Sequence, residues 1–288
     1  MRYRVDEIGF TCPSGLADVT SYSFRSTSPR EQLDIEFEAP AGGATPAEHA
    51  IADIRQQMVD HLGSALAIVG EGDRSVAGKP GKTLHYTFDD HGAPSQGFIV
   101  IANLGSDANE GDWVQLSWQF KGSAAALPGL VDPVLASFRA GAATAPAIGS
   151  NLRQAGPWVF ELPSRYAGPR SFVWTDDEAE QRVSITIHPF DVDKPDVAKA
   201  IAKLEARGRS VTARDDVPII YGQLVRLRLQ DAAGEQFFVS RAQQAYQIGN
   251  PVRVRWVEVA VEGLLADEAA LRKRIDDLLA SIKVEDRP

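Results

Sequence analysis

The sequence predicts an α+β protein made of two tandem copies of an antiparallel sheet backed by helices. Three observations lead there. First, the chain matches itself without gaps at an offset of 150 residues. Phe10, Pro13 and Ser14 fall on Phe160, Pro163 and Ser164, and Tyr22 and Phe24 fall on Phe172 and Trp174. Leu33, Ile35 and Phe37 fall on Val183, Ile185 and Ile187. Second, these runs alternate apolar with polar residues, the period of a strand with one buried face. Third, each half carries two stretches of helical period, one internal and one closing. A self-match of this order and periodicity marks a duplication, and consecutive strands joined by short turns favour an antiparallel meander.

Each element has its own justification. In 33–38 the apolar set Leu33, Ile35 and Phe37 alternates with Asp34, Glu36 and Glu38. Thr45-Pro46-Ala47-Glu48 reads as a capping box, with Thr45 as N-cap and Pro46 at the first helical position. The helix it opens aligns Ile51, Ile54, Met58 and Leu62 and stops at Gly63. Its counterpart starts near Asp193, aligns Val197, Ile201 and Leu204, and ends at Gly208. Strand patterns follow at 82–89, 97–103 and 112–121, and again at 222–230, 235–242 and 251–261. Leu130, Val134, Leu135 and Phe138 close the first half; Leu271, Ile275, Leu278, Leu279 and Ile282 close the second. Residues 141–156 are rich in small residues and hold one charge, which reads as a linker between copies at 1–140 and 157–288.

Composition excludes several classes. The 288 residues carry 30 basic and 39 acidic side chains, a net charge of −9, so general nucleic-acid binding is disfavoured. Residues 1–145 hold 10 basic and 18 acidic residues, and the remainder 20 and 21. A single cysteine, Cys12, rules out an intrachain disulfide framework and a cysteine-rich zinc site. Residues 1–7 lack an apolar leader and no run is long enough to span a bilayer, so a cytoplasmic, non-membrane protein is expected.

No motif carries catalysis. Gly78-Lys79-Pro80-Gly81-Lys82-Thr83 resembles the tail of a phosphate-binding loop. A strand pattern follows it, not the required helix, and Val76 stands where the first glycine belongs. His85, Asp89, Asp90 and His91 are suitable ligand types, but alternation sends neighbours to opposite faces, so Asp89-Asp90-His91-Gly92 reads as a hairpin turn. His49 and His61 lie three helical turns apart, too far to share an ion. Cys12 is matched by Leu162, an apolar position that a small thiol fills. Ser14 and Ser164 follow prolines in turns and have no base. No enzyme, metal or cofactor is expected. Arg226, Arg228, Arg241, Arg253 and Arg255 form a basic cluster. They suit an anion, an acidic partner or the acid-rich first half, against the plainer reading of a solvated face.

Phe10-x-x-Pro13-x-Gly15-x-x-Asp18-x-Thr20, then Leu33-x-Ile35, a helix, a strand hairpin and a closing helix resemble the DcrB-like domain of the PsbP-like fold. The resemblance is closest to the Eag-type effector chaperones of bacterial type VI secretion, some of them tandem. It covers about 3–140 and 157–284, and the second copy lacks the Asp-x-Thr signature, reading Gly168-Pro169-Arg170. It implies paired domains whose open sheet faces form a groove for the apolar N-terminal helix of a secreted effector. The chain would then act as a monomeric pseudo-dimer. Carried onto this sequence, the groove candidates are Ser21, Ser23, Gln115, Ser117 and Gln119 in the first half. In the second they are Ser171, Val173, Ser184, Thr186 and His188. Asp34, Glu36 and Glu38 lie on the same first-half face and would repel an apolar helix. Two other readings stand beside the chaperone: a small-ligand or enzymatic protein with one closed pocket, and an immunity or scaffold protein binding a folded partner.

Overall fold

The computed structural model describes residues 2–11, 13–27, 30–38, 47–90, 93–105, 113–121, 127–141, 151–168 and 170–284. The first half runs β1 (Arg2–Val5), β2 (Ile8–Thr11), β3 (Ala17–Asp18), β4 (Tyr22–Thr27), β5 (Arg30–Glu38) and α1 (Ala47–Leu62). It continues through β6 (Leu66–Val76), β7 (Lys79–Asp90), β8 (Ala93–Asn103), β9 (Trp113–Lys121), α2 (Leu127–Ser137) and β10 (Arg139–Ala140). The second half runs β11 (Leu152–Ala155), β12 (Trp158–Glu161), β13 (Ser171–Asp176), β14 (Gln181–Phe190) and α3 (Val197–Glu205). It continues through β15 (Ser210–Ile219), β16 (Gly222–Gln230), β17 (Gln236–Ile248), β18 (Arg253–Leu264), α4 (Glu268–Ser281) and β19 (Lys283–Val284).

Among the described residues strand residues far outnumber helical residues and form four antiparallel sheets, so the fold is mostly β. This overturns the expected α+β arrangement, a PsbP-like sheet backed by helices. The physical reason lies in the strands. β17 runs for 13 residues and β7 for 12, well past their alternating cores. The edge strands β6 and β15 are largely exposed and show no clean alternation, so their sequences carry no strand period.

The duplication is explicit in the topology. One large sheet has the order β4-β5-β9-β8-β7-β6. The other has β13-β14-β18-β17-β16-β15, with β3 added beyond β13. Position by position the two orders are the same.

The compact units do not coincide with the sequence halves. The late unit joins described residues 2–20 to 170–284, and the early unit joins 21–141 to 151–168. Each large sheet therefore packs with the hairpin that belongs, by sequence, to the other half. In the late unit, Phe10 stacks on Tyr3 at 5.6 Å between ring centroids and meets Phe172 at 5.0 Å and Trp174 at 6.2 Å. The same unit pairs β19 with β2, Val284 opposite Ile8. In the early unit, Phe160 of β12 meets Phe24 at 5.4 Å and Phe138 at 5.0 Å. Gly156 turns that hairpin at φ +52, and a Cβ there would stand 3.3 Å from the Phe37 ring. Phe10 thus belongs to the core of Phe172 and Trp174, not to that of Tyr22 and Phe24.

The remaining apolar alternation is buried as the period requires. Tyr22, Phe24, Leu33 and Ile35 are fully buried in one unit, and Trp174, Val183, Ile185 and Ile187 in the other. Phe37, Ile54 and Met58 are only partly buried. α1 ends at Gly63 in the left-handed region, while the Thr45-Pro46 cap lies outside the described residues. α3 starts later than the sequence suggests, at Asp196, whose carboxylate accepts from the Ala198 amide at 2.8 Å.

Candidate partner-binding sheet faces

In the early unit α1 covers half of one sheet face. Ile51, Ile54 and Met58 pack on Leu84, Tyr86, Ile99 and Ile101, over β7 and β8. The same face over β4, β5 and β9 has no helix on it among the described residues. Register places Ser23 beside Asp34, Asp34 beside Ser117, and Ser117 beside Ile99. One row along, Glu36 pairs with Gln115, which pairs with Ile101, and Gln119 pairs with Gln32. The structure therefore brings Ser23, Gln115, Ser117 and Gln119 together with Asp34 and Glu36. Ser21 is exposed just before β4, and the Glu38 side chain lies outside the described residues.

This face is internally hydrogen-bonded. The Gln32 amide donates to Asp34 Oδ2 at 2.6 Å, and the Gln115 amide to Ser117 Oγ at 3.2 Å. Gly97 has a specific role at its border. A Cβ there would come within 2.1 Å of Tyr86 Cζ, so only glycine lets the tyrosine ring cross β8. Burial first, and the Asp34 carboxylate second, push the Tyr86 phenol up to about 12.

In the late unit α3 packs Val197, Ile201 and Leu204 on Val225, Leu227, Leu229, Phe237 and Val239. Beyond the helix, one row reads Ser171, Thr186, Glu258, Gln243, and the next Val173, Ser184, Ala260, Arg241. Ser171 Oγ lies 3.2 Å from Thr186 Oγ1. Both Glu258 oxygens are engaged, Oε1 by the Arg241 guanidinium and Oε2 by the Gln243 amide at 3.1 Å. His188 falls past the last regular pair, Ile187 with Val257, where the register of β14 shifts. Of the residues sharing this face, the sequence analysis named Ser171, Val173, Ser184 and Thr186 but not Glu258 and Gln243. Their signal was the alternation of the 253–264 run, with Glu258 and Glu262 out of phase with Val257, Val259 and Val261.

The five arginines do not form one basic face. Arg226 and Arg228 point to the side opposite Arg241, since Arg241 pairs in register with Val225. Each has an acidic partner: Asp215, Glu268, Glu258, Asp191 and Asp6 in turn. Arg255 is 2% exposed, bonds Asp6 of the N-terminal hairpin at 2.7 Å, and lies 3.8 Å above the Phe190 ring.

The phosphate-loop-like Lys79–Thr83 stretch lies within β7, as its alternation requires. Among the described residues, no group of three or more His, Cys, Asp or Glu side chains is placed to hold a metal. Cys12 and His91 lie outside the described residues, as do the side chains of His49 and His61. No described helix is long and apolar enough to cross a membrane.

No protein-family model matches the chain, and no curated protein matches it. Among solved structures, it is similar to the apo form of TplEi, an immunity protein of type VI secretion from Pseudomonas aeruginosa. Identity is 12%, coverage is 100% of this chain and 98% of that one, and the TM-score is 0.45. The same protein complexed with "L" peptide scores 0.43 at 12% identity, with the same coverage. A chain of the Tle4–Tli4 complex scores 0.42 at 10% identity, again over 100% and 98%. At TM-scores below 0.5 none of these likenesses fixes a function.

Proposed function

We propose that the chain is a non-catalytic protein that binds a folded protein partner, in an immunity or scaffold role within type VI secretion. The polar chemistry of the two open sheet faces carries the proposal. An apolar helix laid on the early face would strip water from Asp34 and Glu36 and offer them no hydrogen bond, which is costly for ionised groups. On the late face the Arg241–Glu258 pair is already mostly buried, so the cost of covering it there is smaller. A folded partner with a polar surface meets either face with complementary donors and acceptors. On this reading Ser23, Gln115, Ser117 and Gln119 contact the partner in the early unit, and Ser171, Ser184 and Thr186 in the late unit. Immunity is also the role printed for TplEi; the chemistry of the faces supports the polar protein partner.

The test uses the full chain. A photo-crosslinker is placed at Gln115 or Thr186, and irradiation in type VI-active cells identifies the protein captured. That protein is then purified, titrated against the chain and scored for toxicity with and without it. Nanomolar binding with loss of toxicity supports the reading. Micromolar or tighter binding of a 20-residue apolar helical peptide, abolished by Ser117→Arg, would return the chaperone.

A further inference from the structure

Four of the eight exposed large hydrophobic residues among those described gather at one end of the late sheet: Val192, Ile220, Tyr221 and Val252. Ile220 is 75% exposed and Tyr221 70%, at the two-residue turn joining β15 to β16. Val252 is 63% exposed in the β17–β18 turn, and Val192 follows β14. Register places these segments side by side. The Tyr221 carbonyl accepts from the Ala245 amide at 2.9 Å, and the Asp191 amide donates to the Val254 carbonyl at 2.9 Å.

The duplication supplies an internal control. The topologically equivalent turn in the early sheet is Ala77-Gly78, with both residues in the left-handed region, whereas in the late turn only Tyr221 is. The early unit therefore closes the equivalent hairpin without any large side chain. In the late sheet Tyr221 holds φ +55, a conformation that a bulky residue adopts only at a cost. A strained, solvent-facing tyrosine next to an exposed isoleucine contributes nothing to the core.

We infer that this loop end is the docking edge for a neutral, apolar cleft on a protein partner, with Tyr221 and Ile220 as the inserted anchors. The inference rests on the protein-binding reading above. Charge selects the occupant. Two of the nearby cations are matched by carboxylates, Arg253 by Asp191 at 2.8 Å and Arg214 by Asp216 at 2.7 Å, and Lys194 donates to the Gln223 amide oxygen at 3.0 Å. With a net charge of −9, the chain has no excess positive charge to offer an anionic bilayer. A tyrosine supplies large contact area with few rotors to immobilise, the chemistry of interface hot spots.

The decisive variant restores the sister turn, I220A/Y221G, in the full chain. Its melting temperature should equal or exceed the wild-type value, because the strain is relieved. A photo-crosslinker at 221 should capture one protein other than this chain, and a crosslinker at exposed Val69 should not. The captured protein, once purified, should bind I220A/Y221G at least tenfold more weakly than wild type. Equal binding would overturn the docking edge while leaving the protein-binding reading intact. Capture of lipid or of a second copy alone would also overturn it. Absence of any captured protein from 221, Gln115 and Thr186 alike would remove both.

Discussion

The two large sheets share one strand order, yet they differ where the covering helix stops. In the early unit α1 lies over Ile99 and Ile101, so the apolar floor extends to β8. The equivalent positions in the late unit are Arg241 and Gln243, and the polar face there extends one strand further. Repeats of one topology thus carry different surfaces, because strand pairing is set by backbone and turns while the outward face is free to diverge. What the two units cannot do separately is close their cores from their own halves. Each depends on a hairpin, with Phe10 or Phe160, contributed across the duplication.

The largest effect follows from that dependence. A fragment spanning 150–288 lacks Tyr3, Ile8 and Phe10, all essentially fully buried in the late unit. It should fail to unfold cooperatively. Residues 21–169 carry both the early sheet and its hairpin and should unfold as one cooperative unit. Joining 1–20 after residue 288 through a short linker should rescue the late fragment, since β19 already pairs with β2. Circular dichroism melts of the three chains decide it. A cooperative 150–288 fragment would remove the exchange.

Next in size are the anchors themselves. Phe10→Ala and Phe160→Ala should each cost about 3–5 kcal/mol, the usual range for a buried phenylalanine. Phe37→Ala should fall at or below about 3 kcal/mol, because Phe37 is only partly buried. Chemical denaturation of the full chain measures all three, and equal losses at Phe37 and Phe10 would contradict their different burial.

These residues also show how much the sequence discloses. The alternation of Leu33, Ile35 and Phe37 and its repeat at Val183, Ile185 and Ile187 locate the central strands and the duplication. The exchange is silent, because Phe10 and Phe160 occupy equivalent positions and swapping them leaves every pattern unchanged. β6 and β15 are silent too, for an edge strand with polar residues on both sides, such as Thr212–Asp216, has no buried face to impose a period. Of the candidate faces, Ser117 and Thr186 follow from alternation. The Arg241–Glu258–Gln243 network needs the register between β17 and β18, a pairing that one-dimensional periodicity does not fix. The acidic row was legible as a strand face, and its neighbour Tyr86 was not, since that contact depends on the absent side chain of Gly97.

The difference at Arg241 gives a smaller, sharper test. Glu258→Ala leaves the half-buried Arg241 guanidinium and the buried Gln243 amide without their shared acceptor. The cost should be about 1–3 kcal/mol, the range for hydrogen bonds to charged groups. Arg241→Ile in that background should recover part of it, because the early unit has Ile99 at this position. Denaturation of the single and double variants forms the cycle, and simple additivity would show that the network is not coupled.

The smallest effect distinguishes two tyrosines, one buried and one partly buried. Tyr86 in the early unit and Tyr246 in the late unit are both pushed up to about 12. Burial is the first cause at each, and at Tyr86 the Asp34 carboxylate adds to it. An unfolded tyrosine ionises near about 10, so each contributes stability that is complete below that pH and lost as pH rises through about 12. Asp34→Asn removes the negative charge but not the burial. Tyr86 should then titrate part of the way back toward its ordinary value, while Tyr246 stays where it is. Difference absorbance of the phenolate, with Tyr86→Phe and Tyr246→Phe to assign each step, reads this directly. A Tyr86 step that does not move in Asp34→Asn would show that the acidic face ends short of the tyrosine, and that burial alone sets its ionisation.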